Sequence, residues 1–385
     1  MTTYIILTDD WELRGNGTGR VEDLQRKPAI QLMNLYDSFG IKSTFNVEVL
    51  QQLAFERYVD VDEAIRSGRD AWLETVRLMV ARGFDVQLHV HPQWMKAELI
   101  DGWWKLDRRW NLADYSVEEI RRMLDAAIPY LDKLTAPHRI ISFRGGSWGM
   151  GPPSRAIVEE LVRRGIRYDL SIVKGNLYDG EAIQLDYREL DSPFFPYRPD
   201  YDDIRRFPRT PENVAPLLEI PTQSIERSLL AKKILEGLPG HGPSEALRGM
   251  ISVLRGTRLY SRIGKMARNI RSRVSGKKDA KQPDFVIRDP FGFQSGRAMT
   301  DVIFDLSSDL PFSVFRDMAD ICIARAANDP SPLKVLVFEN HTKDLQTPLH
   351  FNRIAKLIDH IHTTHSNVEF RSFVQLADQL DLNAW

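Results

Sequence analysis

Over the first 180 residues, short apolar runs alternate with amphipathic stretches, and the repeat of apolar positions switches between the strand period and the helix period. The pattern predicts strands at Tyr4–Thr8, Ser43–Val49, Phe84–Val90, Arg139–Phe143 and Tyr168–Val173. Between them it predicts helices at Leu24–Phe39, Asp60–Arg82 and Ser154–Gly165. Ser116-Val-Glu-Glu119 is a capping box, opening a helix to about Leu134 with Ile120, Met123, Leu124, Ala127 and Leu131 on one face. Pro129 is expected to bend that helix. The alternation lapses over 176–300, rich in Pro, Arg and Tyr, where only Pro216–Ile220 reads clearly as a strand. It resumes with helix Phe312–Ala327, strand Leu333–Phe338, helix Leu349–His362 and strand Asn367–Phe370.

Strict strand–helix alternation implies a parallel sheet with helical crossovers, closed as a barrel or open and doubly wound. No GxGxxG or GxxxxGK[ST] follows the first strand, which counts against a dinucleotide or P-loop site. No internal repeat is visible. The economical reading is one α/β barrel from 1–180 and 305–385, with 181–304 as an insertion belonging to the same domain or serving as a lid.

Composition narrows this. With 43% apolar residues the chain of 385 can bury a sizeable core, and a net charge of −1 does not suggest a whole-chain polyanion binder. A single cysteine, Cys322, excludes an intramolecular disulfide and a multi-thiolate metal site. Neither a signal peptide nor a long apolar span is apparent, so a cytoplasmic protein is expected.

The charge is uneven, however. Residues 227–281 hold 14 Lys/Arg against three acids. Within them, 247–274 spaces Arg248, Arg255, Arg258, Arg262, Lys265, Arg268 and Arg271 among Met250, Ile251, Leu254, Leu259, Ile263, Met266 and Ile270. On a helix this gives a basic face and an apolar face, suited to peripheral contact with an anionic membrane or to a phosphate-bearing substrate. A solvated lid helix is the plainer alternative, and Gly249, Gly256 and Gly264 weaken the helix. Aromatic-interleaved motifs for reading nucleic acid are missing.

Ionisable residues gather at the ends of the predicted strands: Asp9-Asp10, His89-Val-His91-Pro92, Arg144, Asp169 and His341. Polar groups at the carboxyl ends of parallel strands are what a barrel enzyme displays. His-x-His on a strand turns both imidazoles to one face, and with a carboxylate they make a facial metal site with open positions. A hydrogen-bonded structural pair is the alternative. The glycines of Arg144-Gly145-Gly146-Ser-Trp148 let backbone approach a ligand closely.

Taken in order, these segments resemble the polysaccharide deacetylase family, the NodB-homology domain of carbohydrate esterase family 4. Thr8-Asp9-Asp10 is similar to its opening Asp-Asp motif and His89-Val-His91-Pro92 to its His-Pro metal motif. Phe143-Arg-Gly-Gly-Ser-Trp148 resembles its Arg-x-x-x-aromatic motif, Tyr168-Asp-Leu-Ser171 its Asp-x-Ser motif, and Glu339-Asn-His-Thr-Lys343 its terminal histidine motif. Lys42-Ser-Thr-Phe-Asn46 adds to the likeness.

The resemblance implies a distorted (β/α) barrel that removes an N-acetyl group from a sugar, on a surface-glycan precursor such as O-antigen. It implies a divalent metal on Asp10, His89 and His91, zinc by default, with cobalt, nickel or iron suiting the same donors. It implies Asp9 as general base held by Arg144, His341 as the acid on the leaving amine, and Asp169 pairing with His341. Trp148 would line the acyl pocket or simply pack at the barrel mouth. Trp94, in a cluster with Trp103, Trp104 and Trp110, would stack on sugar or cover the mouth. The same-fold alternative is hydrolysis of another small amide, such as an N-formyl sugar; a catalytically silent carbohydrate-binding relative is the other.

Two departures from the family pattern bear on these roles. Gln87 stands four residues before His91, where the family's first histidine belongs. The opening motif runs Thr8-Asp-Asp-Trp-Glu12, without the usual flanking aromatic and glycine. A second register is therefore open, in which Asp10 is the base and Asp9 or Glu12 serves the metal.

Overall fold

The computed structural model describes residues 2–236, 283–287, 289–292, 299–331 and 333–382; the basic segment 247–274 lies outside them. Eight strands form one sheet: β1 (Thr3–Trp11), β2 (Thr44–Glu48), β3 (Asp85–Val90), β4 (Ser142–Gly145), β5 (Tyr168–Asp169), β6 (Leu218–Glu219), β7 (Lys334–His341) and β8 (Val368–Phe370). The order is β6-β5-β4-β3-β2-β1-β7, with β8 also on β1, and every pairing is parallel. Crossover helices cover the outer face of the sheet and its own curl encloses the inner one, so β1, β2 and β3 read as nearly continuous buried runs.

The crossovers are α1 (Lys27–Ser38), α2 (Val49–Arg57), α3 (Glu63–Ala81), α4 (Val117–Thr135), α5 (Arg155–Arg163), α6 (Phe312–Asn328) and α7 (Pro348–Thr364), with α8 (Phe373–Leu382) last. Ser116 caps α4 with the reciprocal Glu119 bond, and Pro129 is accommodated inside one continuous helix. α2 is absent from the hydrophobic pattern because no turn residue separates it from β2. Glu48 ends the strand and caps the helix at once, accepting the Gln51 N–H at 3.0 Å.

The sheet curls until its edges meet. Thr222, just past β6, makes a parallel bridge to Val337 of β7, and Asp305 makes another to Glu339. The result is a distorted barrel. Its wall includes β6, and Ser224–Glu226 paired with Asp301–Ile303, all drawn from the segment read as an insertion.

Candidate active site

Register brings the polar residues together. Asp10 of β1 stands opposite His341 of β7 on one side and Asn46 of β2 on the other. His89 of β3 stands opposite Glu48 of β2 and Arg144 of β4. Partners in register share a face, so one ring of inward-pointing side chains forms at the carboxyl end of the barrel, with Glu12 and His91 two residues further along.

Arg144 is fully buried at the centre. Its guanidinium donates to Asp10 Oδ1 at 2.7 Å, Thr8 Oγ1 at 3.0 Å, Thr222 Oγ1 at 3.2 Å and the Leu170 carbonyl at 3.2 Å. Asn46 donates to the same Asp10 oxygen at 2.9 Å. Burial pushes Asp10 up, but Arg144, His89 and His341 outweigh it and hold the carboxyl at about 2. Asp10 Oδ2 is left facing two imidazoles, His341 Nε2 at 3.7 Å and His89 Nε2 at 4.0 Å.

Glu12, His89 and His91 form the neighbouring group. Their ligand-type atoms all lie within 4.8 Å of one another. Glu12 Oε2, His89 Nε2 and His91 Nε2 are buried and face one another: Glu12 Oε2 is in ion-pair contact with His91 Nε2 and 3.6 Å from His89 Nε2, and none has a hydrogen-bond partner outside the group. Three buried ligand atoms converging on one point can share a proton or close around a cation. His89 Nδ1–H donates to the Arg144 carbonyl at 2.9 Å, which turns Nε2 towards Asp10 and Glu12. Burial pushes this imidazole down, but those carboxylates outweigh it and raise it, so a cation would take the place of the proton they favour. His91 is fixed by the Gln93 amide, 3.0 Å from Nδ1, and by its backbone N–H, which donates to Glu48. Burial pushes His91 down, towards the neutral form that a metal requires. Burial pushes Glu12 up, but His91 and its ion-pair partner Lys343 hold it well below the ordinary carboxylate range. Two imidazoles and an ionised carboxylate suit a borderline divalent cation.

Gly146 has a specific role here. A Cβ at this position would fall 2.5 Å from His91 Cγ, so only glycine lets the β4 loop lie against that ring. Ser147 and Trp148 follow at φ 55° and 58°, left-handed conformations rare for such residues and often found where a site dictates them.

On the other flank, His341 Nδ1 lies 3.4 Å from Asp305 Oδ2. Burial pushes His341 down, yet Asp305 more than reverses this and raises it to about 10. The Trp148 indole packs on His341 at 5.7 Å, and its N–H donates to Glu339 at 3.3 Å. These groups line a cavity of about 370 Å³, completed by Gly145, Trp110, Tyr178 and Phe291.

The sequence matches no protein-family model and no curated protein. Among solved structures, the chain resembles a Mycobacterium smegmatis protein named for polysaccharide deacetylases, at TM-score 0.50 and 13% identity over 99% of this chain and 90% of that one. It also resembles a Parabacteroides distasonis protein named for glycoside hydrolases and deacetylases, at TM-score 0.53 and 10% identity over 98% and 71%. The fold is of the polysaccharide-deacetylase type. At these identities the likeness is one of fold.

Of the residues singled out in the sequence, Arg144 and Gly146 stand directly behind the cavity lining, and Asp9, Asp169 and Trp94 lie away from it. Asp9 points the other way, because neighbours on a strand face opposite sides. It accepts from Tyr36 of α1 at 3.0 Å and Asn340 at 2.8 Å, and burial raises it to about 6. Arg144 therefore holds Asp10 and not Asp9. Asp169 accepts from Ser171 Oγ at 2.6 Å, which in turn takes the Gly145 N–H at 2.7 Å. It steadies the glycine loop, while Asp305 is the acid beside His341. Trp94 is 1% exposed, packed edge-on to Phe55 and Trp104 at 6.3 and 5.3 Å. It is core, and Trp110 is the member of that cluster that lines the cavity.

Asp305 was not legible, since it sits in a stretch without periodicity. Glu12 was: it follows Asp10 by two, and a strand reaching Trp11 puts both on one face.

Proposed function

We propose that the chain is a metal-dependent hydrolase that removes an N-acyl group, an acetyl in the first instance, from a sugar. The convergence of the buried Glu12, His89 and His91 ligand atoms on one another beside Asp10 carries this reading. Those three residues would hold a divalent cation, zinc by default. When bound, such a cation supplies Lewis-acid polarisation of the acyl carbonyl and acidifies water.

The chain's own residues do the rest. Asp10, kept ionised by Arg144, accepts the proton of the attacking water. His341, kept protonated by Asp305, delivers a proton to the leaving amine, which is too basic to depart as an anion. Trp148, Tyr178, Trp110 and Phe291 wall the cavity, excluding water and offering flat faces to a sugar ring. A surface-glycan precursor, O-antigen included, remains the substrate class we favour, with the basic 247–274 segment suited to a phosphate-bearing or lipid-linked form at a membrane face in the cytoplasm.

The test is direct. Protein stripped by a chelator should release no acetate from N-acetylated sugars and should regain the activity on addition of Zn²⁺, Co²⁺ or Ni²⁺. Acetate release that survives complete metal removal would overturn the reading.

A further inference from the structure

A second grouping of ligand-type side chains lies at the other end of the barrel. α7 leaves the carboxyl end of β7 and returns to the start of the parallel strand β8, so its carboxyl end lies at the amino-terminal face, away from the cavity. His360 stands in the last turns of α7 and His365 is its C-cap residue. Asp320 comes from the middle of α6. Both imidazoles point the same nitrogen at one oxygen: His360 Nε2 and His365 Nε2 lie 2.8 and 2.9 Å from Asp320 Oδ1. The ring planes are crossed at 85°, with centroids 5.9 Å apart.

Two histidines bonded to one carboxylate oxygen can be a hydrogen-bonded clamp, but the arrangement also meets the demands of a chelate. Donors about 2.0–2.2 Å from a tetrahedral metal are roughly 3.4 Å apart, so an opening of about 0.5 Å would admit the ion. Thr364 Oγ1 lies 3.3 Å from His360 Nδ1 and can accept its proton once Nε2 binds a metal. All three side chains are partly exposed, which leaves the remaining positions to water. Two imidazoles and one carboxylate favour Zn²⁺, Ni²⁺ or Cu²⁺ over Mg²⁺ or Ca²⁺.

We propose that Asp320, His360 and His365 form a structural site for a borderline divalent cation, which clasps α6 to α7. The cation binds the folded chain and not the unfolded one, so it raises stability without touching the reaction. The site is independent of the cavity and of the function proposed for it.

The experiment uses the full chain, stripped by a chelator and titrated with Zn²⁺ alone, with bound metal and melting temperature as readouts. The wild type should bind two equivalents and melt higher with zinc. The His360→Ala/His365→Ala variant should bind one, melt somewhat lower than the wild type when both are metal-free because it loses two hydrogen bonds to Asp320, and show a smaller zinc-induced rise from its own metal-free value while retaining activity. Asp320→Asn should weaken the same site with the fold intact. His89→Ala should keep one equivalent and keep this part of the rise. Equal stoichiometry and equal zinc-induced shifts in the wild type and the double variant would overturn the proposal, leaving a hydrogen-bonded clamp. A site lost at His89 alone would also overturn it, without affecting the reading of the cavity.

Discussion

Two walls of the same barrel bury carboxyl groups and treat them in opposite ways. On the β1 side, Asp10 and Glu12 lie against Arg144, Lys343 and histidines, which hold both below the ordinary range despite complete burial. On the β5–β6 side, Asp169 and Glu219 lie against each other. Burial raises both, and for Glu219 the neighbouring Asp169 adds to it. Depth is equal on the two walls, so depth does not decide charge. For these four groups the balance of cationic partners against burial does, and it favours the charged form only for Asp10 and Glu12, which line the cavity.

The largest effect should come from His89→Ala, which should abolish turnover and lower the metal content of the cavity. A variant that keeps both would remove His89 from the ligand set. Asp10→Asn and His341→Ala should each lower kcat by about 10²–10⁴-fold while the cavity metal stays bound. Loss of that metal from either variant would make the residue a ligand and redraw the boundary between the two groups.

Asp305→Asn should cost less, about 10–100-fold by analogy with other carboxylates that orient a histidine. Its pH profile is more telling. Asp305 raises His341, so its removal lowers that group, and the alkaline limb of kcat should move to lower pH. An unmoved limb would separate His341 from the proton given to the amine.

The smallest effect on turnover should come from Glu219→Gln, on the uncompensated wall. A carboxyl raised on folding binds its proton more tightly in the native chain, so its contribution to stability falls as pH rises through the raised value. Glutamine removes that loss. The variant's melting temperature relative to wild type should therefore increase with pH, with activity near wild type. A drop like that of Asp10→Asn would show that both walls serve the chemistry.

Much of this was legible in the sequence, and the failures are physical. Periodicity located the strands because parallel strands buried on both faces leave apolar runs, and the His-x-His spacing correctly put both imidazoles on one side. The assignment between Asp9 and Asp10 depends on which way a strand faces, and a motif does not contain that parity. For Trp94 the sequence leaves stacking on sugar and covering the mouth both open, and burial decides: the indole is folded inward against Phe55. Asp305 depends on a bridge to Glu339 that no local pattern announces.

The pairing of Thr3 with Lys334 and of Asp10 with His341 also sets a timetable for biogenesis. β1 leaves the ribosome well before β7, yet its interior position in the sheet obliges it to wait for that partner. At about 5–20 residues per second that interval is roughly 15–65 s, during which one flank of an apolar strand has no neighbour. Chains truncated before residue 334 should keep that flank open and self-associate, a fate avoided once β7 pairs with β1.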